Sequence, residues 1–130
     1  MDLLLDTHTI IWFITENQKL PLATKQLIED TRHNCFISIA SYWEIAIKSS
    51  LGRLELGAEL DNILQIIEDS GFELLPITIP HILANSNLKF HHHDPFDRIL
   101  IAQAVNENLT IVTKDTAFVN YSIPLLWREK

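Results

Sequence analysis

Leu3-Leu4-Leu5-Asp6-Thr7-His8-Thr9-Ile10-Ile11 holds, in nine residues, a strand, an acid at its carboxyl end and the start of a helix. Leu3 to Leu5 is short and apolar on both faces, as a strand buried within a parallel sheet must be. From Thr7 to Glu16 the apolar positions Ile10, Ile11, Phe13 and Ile14 fall at helical spacing. The same alternation continues along the chain. Helices are expected at about 21–32 with Pro21 in the first turn, at 41–51 with Gly52 as the stop, at 60–69 ended by Gly71, at 79–88 and at 95–106. Strands are expected at 36–38, 72–75 and 109–113, with an edge strand at 123–127 because Pro124 cannot donate to a ladder. Strands alternating with helices specify an α/β class: a central, mainly parallel sheet with helices on both faces, in three α/β/α layers. Functional crevices in such folds open beyond the carboxyl ends of the strands.

Four acids stand where apolar segments end or turn: Asp6, Glu44, Asp97 and Asp115. A sheet that brings the segment ends together also brings these carboxylates together, and their repulsion favours protonation or a bound cation. Hard oxygen donors with no cysteine among them suit Mg²⁺ or Mn²⁺. Each acid also has an ordinary structural use. Asp6 can cap the helix that follows it. Ser41-x-x-Glu44 matches a capping box. Asp94, directly before Pro95, has the form of an N-cap, Asp97 complements the dipole of the same first turn, and Asp115 can shape a turn. Lys48, Arg53 and Arg98 are candidate phosphate contacts, with surface ion pairing as the alternative. Thr113 and Asp94 are candidates to orient a neighbouring carboxylate. His91-His92-His93 reads as a solvated loop, since consecutive side chains diverge and zinc ligands are more widely spaced.

The chain has 130 residues and a net charge of −7, consistent with a single domain over residues 1–130. Its one cysteine, Cys35, lies in an apolar stretch with no partner, as expected of a reducing cytoplasm. No basic segment precedes the first apolar run, and no run is long enough to cross a bilayer, so no membrane association is expected. The acidic balance counts against a broad basic surface for nucleic acid.

Leu5-Asp6-Thr7-His8, Ser41-Tyr42-Trp43-Glu44-Ile45-Ala46-Ile47-Lys48, Leu51-Gly52-Arg53-Leu54, His92-His93-Asp94-Pro95-Phe96-Asp97-Arg98-Ile99-Leu100-Ile101-Ala102-Gln103-Ala104 and Val112-Thr113-Lys114-Asp115 together resemble the PIN-domain ribonucleases, and among them the VapC-like toxins of toxin–antitoxin pairs. The resemblance spans essentially the whole chain in the right order. It implies a PIN-like fold and a Mg²⁺- or Mn²⁺-dependent endoribonuclease. The family's acidic quartet falls on Asp6, Glu44, Asp97 and Asp115. It further implies an RNA substrate, a cognate antitoxin that covers the site, and a homodimer.

Two readings from other classes stand beside it. A receiver-type phosphoacceptor domain shares the length and the parallel sheet. It needs paired acids after the first strand, where Thr7-His8 stands here, and an acid ending a central strand, where Ser38 stands. A non-catalytic binding partner would use the acids only as caps.

Overall fold

The computed structural model describes all 130 residues. In chain order the elements are β1 (Asp2–Leu5), α1 (Thr7–Ile14), α2 (Leu22–Glu29), β2 (Asn34–Ser38), α3 (Ile39–Ser50), α4 (Leu60–Asp69), β3 (Glu73–Leu75), α5 (Ile79–Ser86), α6 (Pro95–Glu107), β4 (Thr110–Val112), a 3₁₀ helix (Thr116–Tyr121) and β5 (Leu125–Leu126). All five strands lie in one sheet in the order β3-β2-β1-β4-β5, and every pairing is parallel. The expected α/β/α architecture is therefore present, and the strand carrying Pro124 is at an edge. The order also removes the receiver alternative, whose sheet runs 2-1-3-4-5.

Alternation along β1 divides the core. Leu3 and Leu5 join Ile37, Ile45, Ile63 and Ile67 on one face, while Leu4 joins Leu100, Ile101, Ile111 and Phe118 on the other. All three leucines are fully buried, so the triplet read as two-faced is covered on both sides. β1 is central because the chain first winds outward through β2 and β3, then returns to place β4 on the opposite side of β1. Leu5 pairs with Val112, which sets Asp6 beside Thr113 just past the two strand ends. At such a reversal the helices that follow the adjacent strands diverge, and a crevice opens between them.

The helix starts correct one expectation. Helix α3 begins at Ile39, with Ser38 as its N-cap accepting from the Ala40 amide at 3.1 Å. Ser41 lies inside the helix and Glu44 closes no capping box. Both serines satisfy the sequence preference for a cap, and the strand end at Ser38 decides between them. The other end of α3 is as expected: Gly52 has φ +70 and the Arg53 amide reaches back to the Lys48 carbonyl at 2.9 Å, a Schellman closure that glycine accommodates without strain. Pro21 sits one position earlier than expected, at the N-cap of α2 rather than in its first turn.

Candidate active site

Asp6 is both a cap and a site wall. Its Oδ1 accepts from the Thr9 amide at 2.8 Å, and its Oδ2 accepts from the Thr113 hydroxyl at 2.5 Å. The side chain is buried, and burial pushes its carboxyl above the ordinary value against these hydrogen bonds. Asp6 borders a cleft of about 240 Å³ whose other walls are His8, Trp12, Lys114 and Asp115. Asp115 is exposed, caps the 3₁₀ helix through the Ala117 amide at 2.9 Å, and receives its own orientation from Thr113, whose hydroxyl accepts from the Asp115 amide at 3.0 Å. Thr113 thus ties Asp6 and Asp115 together.

Glu44 is buried on α3 and has no cap to make. One carboxylate oxygen accepts from Thr7 Oγ1 and the other pairs with Lys48 Nζ at 2.5 Å. Lys48 is therefore engaged with an acid of the site. Asp94 is the N-cap of α6, accepting from the amides of Phe96 and Asp97 at 2.9 and 3.1 Å. Pro95 follows at the first helical position, as read from the sequence.

Asp97, half-buried in that first turn, is where the electrostatics converge. Its carboxyl is pushed up to about 8, first by burial and then by the charges of Asp94, Glu44, Asp115 and Asp6. Four other carboxylates thus act on it at once. The side-chain positions nonetheless gather no three His, Cys, Asp or Glu groups closely enough to hold a metal ion.

Arg98 corrects an expectation. It was a candidate phosphate contact, but it is buried, and its guanidinium donates to the carbonyls of Lys89 (2.8 Å), Leu88 (3.1 Å) and Asn85 (3.4 Å) and to the Tyr121 hydroxyl (3.2 Å). The plane of Phe90 covers it at 4.1 Å. These contacts clamp the 85–90 segment to α6 and leave the guanidinium no phosphate role. Arg53 is exposed just past α3.

His92 corrects another. The loop is not uniformly solvated. His91 stands edge-on to Tyr121 and His93 beside Phe90, whereas the His92 ring is half-buried between Tyr121 and Asp97. The Tyr121 hydroxyl accepts from Arg98 and from the His92 amide, so its own proton goes to His92 Nδ1 at 2.6 Å. That leaves the ring proton on Nε2, 3.4 Å from Asp97 Oδ2. Thr7, His8, Trp12 and Tyr121 are the site neighbours that the sequence pattern did not single out. Thr7 and His8 follow Asp6 directly, but nothing in spacing signals Tyr121.

Comparison with known proteins gives a consistent picture. The model of the PIN domain family matches residues 3–124. Ribonuclease VapC22 of Mycobacterium tuberculosis is 28% identical over 123 residues, which cover 93% of this chain and 92% of the relative. Among solved structures, VapBC2 from Rickettsia felis bound to a promoter DNA fragment aligns over 98% of this chain and 100% of the matched chain, with TM-score 0.73 and 15% identity. DNA-bound VapBC from Salmonella typhimurium aligns over 97% of both chains with TM-score 0.71 and 19% identity.

Proposed function

The chain belongs to the PIN domain family, and from that premise we propose that it is a VapC-like endoribonuclease, the toxin of a type II toxin–antitoxin pair. On this reading residues 1–130 form one domain that works in the cytoplasm as a homodimer. RNA is its substrate and a cognate antitoxin its inhibitor. The observation that carries the reading is the convergence on Asp97: carboxylates from β1, α3, α6 and the β4 end act on one half-buried acid. The name of the relative, Ribonuclease VapC22, supports it.

The donor set is all carboxylate oxygen, which fits Mg²⁺ or Mn²⁺. Asp6, Asp97 and Asp115 would hold the ion, with Glu44 joining directly or through water. When bound, the ion supplies positive charge at the scissile phosphate and a water acidified towards neutral pH. The remaining work belongs to the chain. Thr113 and the Thr9 amide fix the Asp6 carboxylate. Thr7 and Lys48 fix Glu44. Asp94 sets the first turn of α6 and hence the position of Asp97. His92 Nε2 carries a proton towards Asp97 Oδ2. Arg53 and Lys114 are the exposed cations available to the phosphate backbone.

The test is cleavage of labelled total RNA by antitoxin-free protein with Mg²⁺, Mn²⁺ or EDTA, beside identically purified Asp6→Asn. Discrete products that require the divalent ion and are absent with the variant are expected. Equal products from both proteins would overturn the reading, including its alternative as metal-independent cleavage at these acids. Thr113→Val is a milder probe. It keeps the shape but removes the donor to Asp6, and activity should fall about 10- to 100-fold with the fold retained. Wild-type rates from this variant would remove Thr113 from the site.

A further inference from the structure

Of the five acids that act on one another here, four are anchored by the chain itself. Asp6 accepts from the Thr9 amide and Thr113, Glu44 from Thr7 and Lys48, Asp94 from two amides of its own helix, and Asp115 from the Ala117 amide. Asp97 is the exception. The donor facing its carboxylate is His92 Nε2, 3.4 Å from Oδ2. That nitrogen is buried and makes no formed hydrogen bond elsewhere. An unanchored carboxylate is free to turn, whereas an ion such as Mg²⁺ demands near-ideal octahedral placement of its oxygens. The orientation of Asp97 therefore depends on what His92 offers it.

That is decided at the other ring nitrogen. Nδ1 meets the Tyr121 hydroxyl at 2.6 Å. A phenol oxygen has one proton to give and a limited capacity to accept. Its acceptor side is taken by two groups that can only donate, the Arg98 guanidinium at 3.2 Å and the His92 main-chain N–H at 3.3 Å. The phenol proton is thus directed to Nδ1, and the ring proton sits on Nε2, towards Asp97. In the reverse tautomer Nε2 would turn a lone pair to the carboxylate and repel it. Arg98 is itself held by the carbonyls of Lys89 and Leu88. The order of donors therefore runs one way, from Arg98 through Tyr121 and His92 to Asp97.

We propose that Tyr121 is a positioning residue for Asp97: by holding His92 in the Nε2–H tautomer it aims a donor at Oδ2 and leaves Oδ1 for the divalent ion, a role that rests on the metal-dependent ribonuclease reading above. Tyr121 touches neither substrate nor ion in this role. It acts through His92, and its effect falls on ion affinity. Phenylalanine at this position keeps the ring and its contacts with His91 and His92. It removes only the hydroxyl, and with it the proton offered to Nδ1. His92 is then free to take either tautomer, and Asp97 loses a fixed donor.

The experiment has two readouts, neither of which is activity. Long-range proton–nitrogen NMR of metal-free protein at one mildly alkaline pH reports the histidine tautomers. The loss of the free-ion EPR signal reports Mn²⁺ affinity without RNA. The proteins are wild type, Tyr121→Phe, His92→Leu, the double variant and Asp6→Asn. In wild type, His92, identified by the signals missing from His92→Leu, should be the Nε2–H tautomer. Tyr121→Phe should mix the tautomers and weaken Mn²⁺ about tenfold or more, the scale for a group that orients a metal ligand. His92→Leu should cost at least as much, and the double variant no more than His92→Leu alone, because Tyr121 acts through the imidazole. An Nδ1–H tautomer in wild type overturns the proposal without any variant. Wild-type Mn²⁺ affinity in Tyr121→Phe or in His92→Leu overturns it too. So does a double variant whose loss is the product of the two single losses, the mark of a purely structural role. In each of these cases wild type still binds Mn²⁺ and Asp6→Asn binds it weakly, so the ribonuclease reading stands. Wild type that binds no Mn²⁺ instead fails the metal reading itself, and the proposal falls with it.

Discussion

Asp97→Asn should abolish RNA cleavage and, in the same protein, raise the melting temperature measured without divalent ions. The loss follows from removing a carboxylate of the proposed centre, where a change of 10²-fold or more is ordinary for a group acting on the reacting phosphate. The gain follows from the charges that surround it. Asp97 is held protonated up to about pH 8 by burial and by Asp94, Glu44, Asp115 and Asp6, against a value of about 3.9 in an unfolded chain. The folded state therefore keeps a proton that the unfolded state releases between roughly pH 4 and pH 8, and stability falls as pH rises through that window. Asparagine has no proton to lose. The variant should be flatter across the window and more stable than wild type above it, by on the order of 1 kcal/mol or a few degrees. Asp6, whose carboxyl is also raised, leaves part of the slope in place. Thermal melts in EDTA at both ends of the window, repeated with Mn²⁺, check this. Mn²⁺ should stabilise wild type more at the alkaline end, where the carboxylates are free of protons, and should do little for the variant. A variant less stable than wild type above the window would show that Asp97 is not strained by its neighbours.

Arg98→Leu should have the opposite profile, a large loss of stability from the adjacent residue. The guanidinium is buried and satisfies three main-chain carbonyls and the Tyr121 hydroxyl. Removing it strands those acceptors. Each unsatisfied buried group costs about 1–3 kcal/mol, and bonds to a charged partner lie at the upper end. Leucine recovers some apolar burial, so a net loss of about 3–5 kcal/mol is expected, a substantial part of the stability of a domain this size. Urea denaturation of both proteins checks it. The contrast with lysine is informative as well. Arg98→Lys keeps the charge but loses the planar fork and its stacking on Phe90, and should recover little. A change below about 1 kcal/mol for leucine would mean that the 85–90 segment is held by other contacts.

The legible parts of this molecule are those in which one residue type answers one local demand. Leu3 to Leu5 announced a two-faced strand because no other element needs three adjacent leucines covered on both sides. Asp94-Pro95 announced the start of α6 because an N-cap followed by proline satisfies the first turn in only one way. Ser38 and Ser41 were ambiguous because both satisfy the same local rule, and the choice between them comes from where β2 ends. Arg98 and His92 were misread for a different reason. Their partners, Tyr121 and the 85–90 carbonyls, come from segments whose meeting with α6 is a tertiary event. The neighbourhood of Asp6, Asp97 and Asp115 is of the same kind. Apolar patterning marks each segment end, but only the strand order places β4 beside β1.

That strand order also sets a timetable. Asp6 is synthesised before the rest of the site, on the strand that ends in the middle of the sheet. Its partner strand β4, with Thr113 and Asp115, is made near the other end of the described chain. Parallel pairing across such a separation must wait for everything between, and closure of long loops makes it slow. The hydroxyl that orients Asp6 does not exist while the first three strands are being synthesised. On the ribonuclease reading, a nascent chain would therefore have no assembled cleft with which to attack RNA around the ribosome making it, and the interval before the cleft forms would be set by topology.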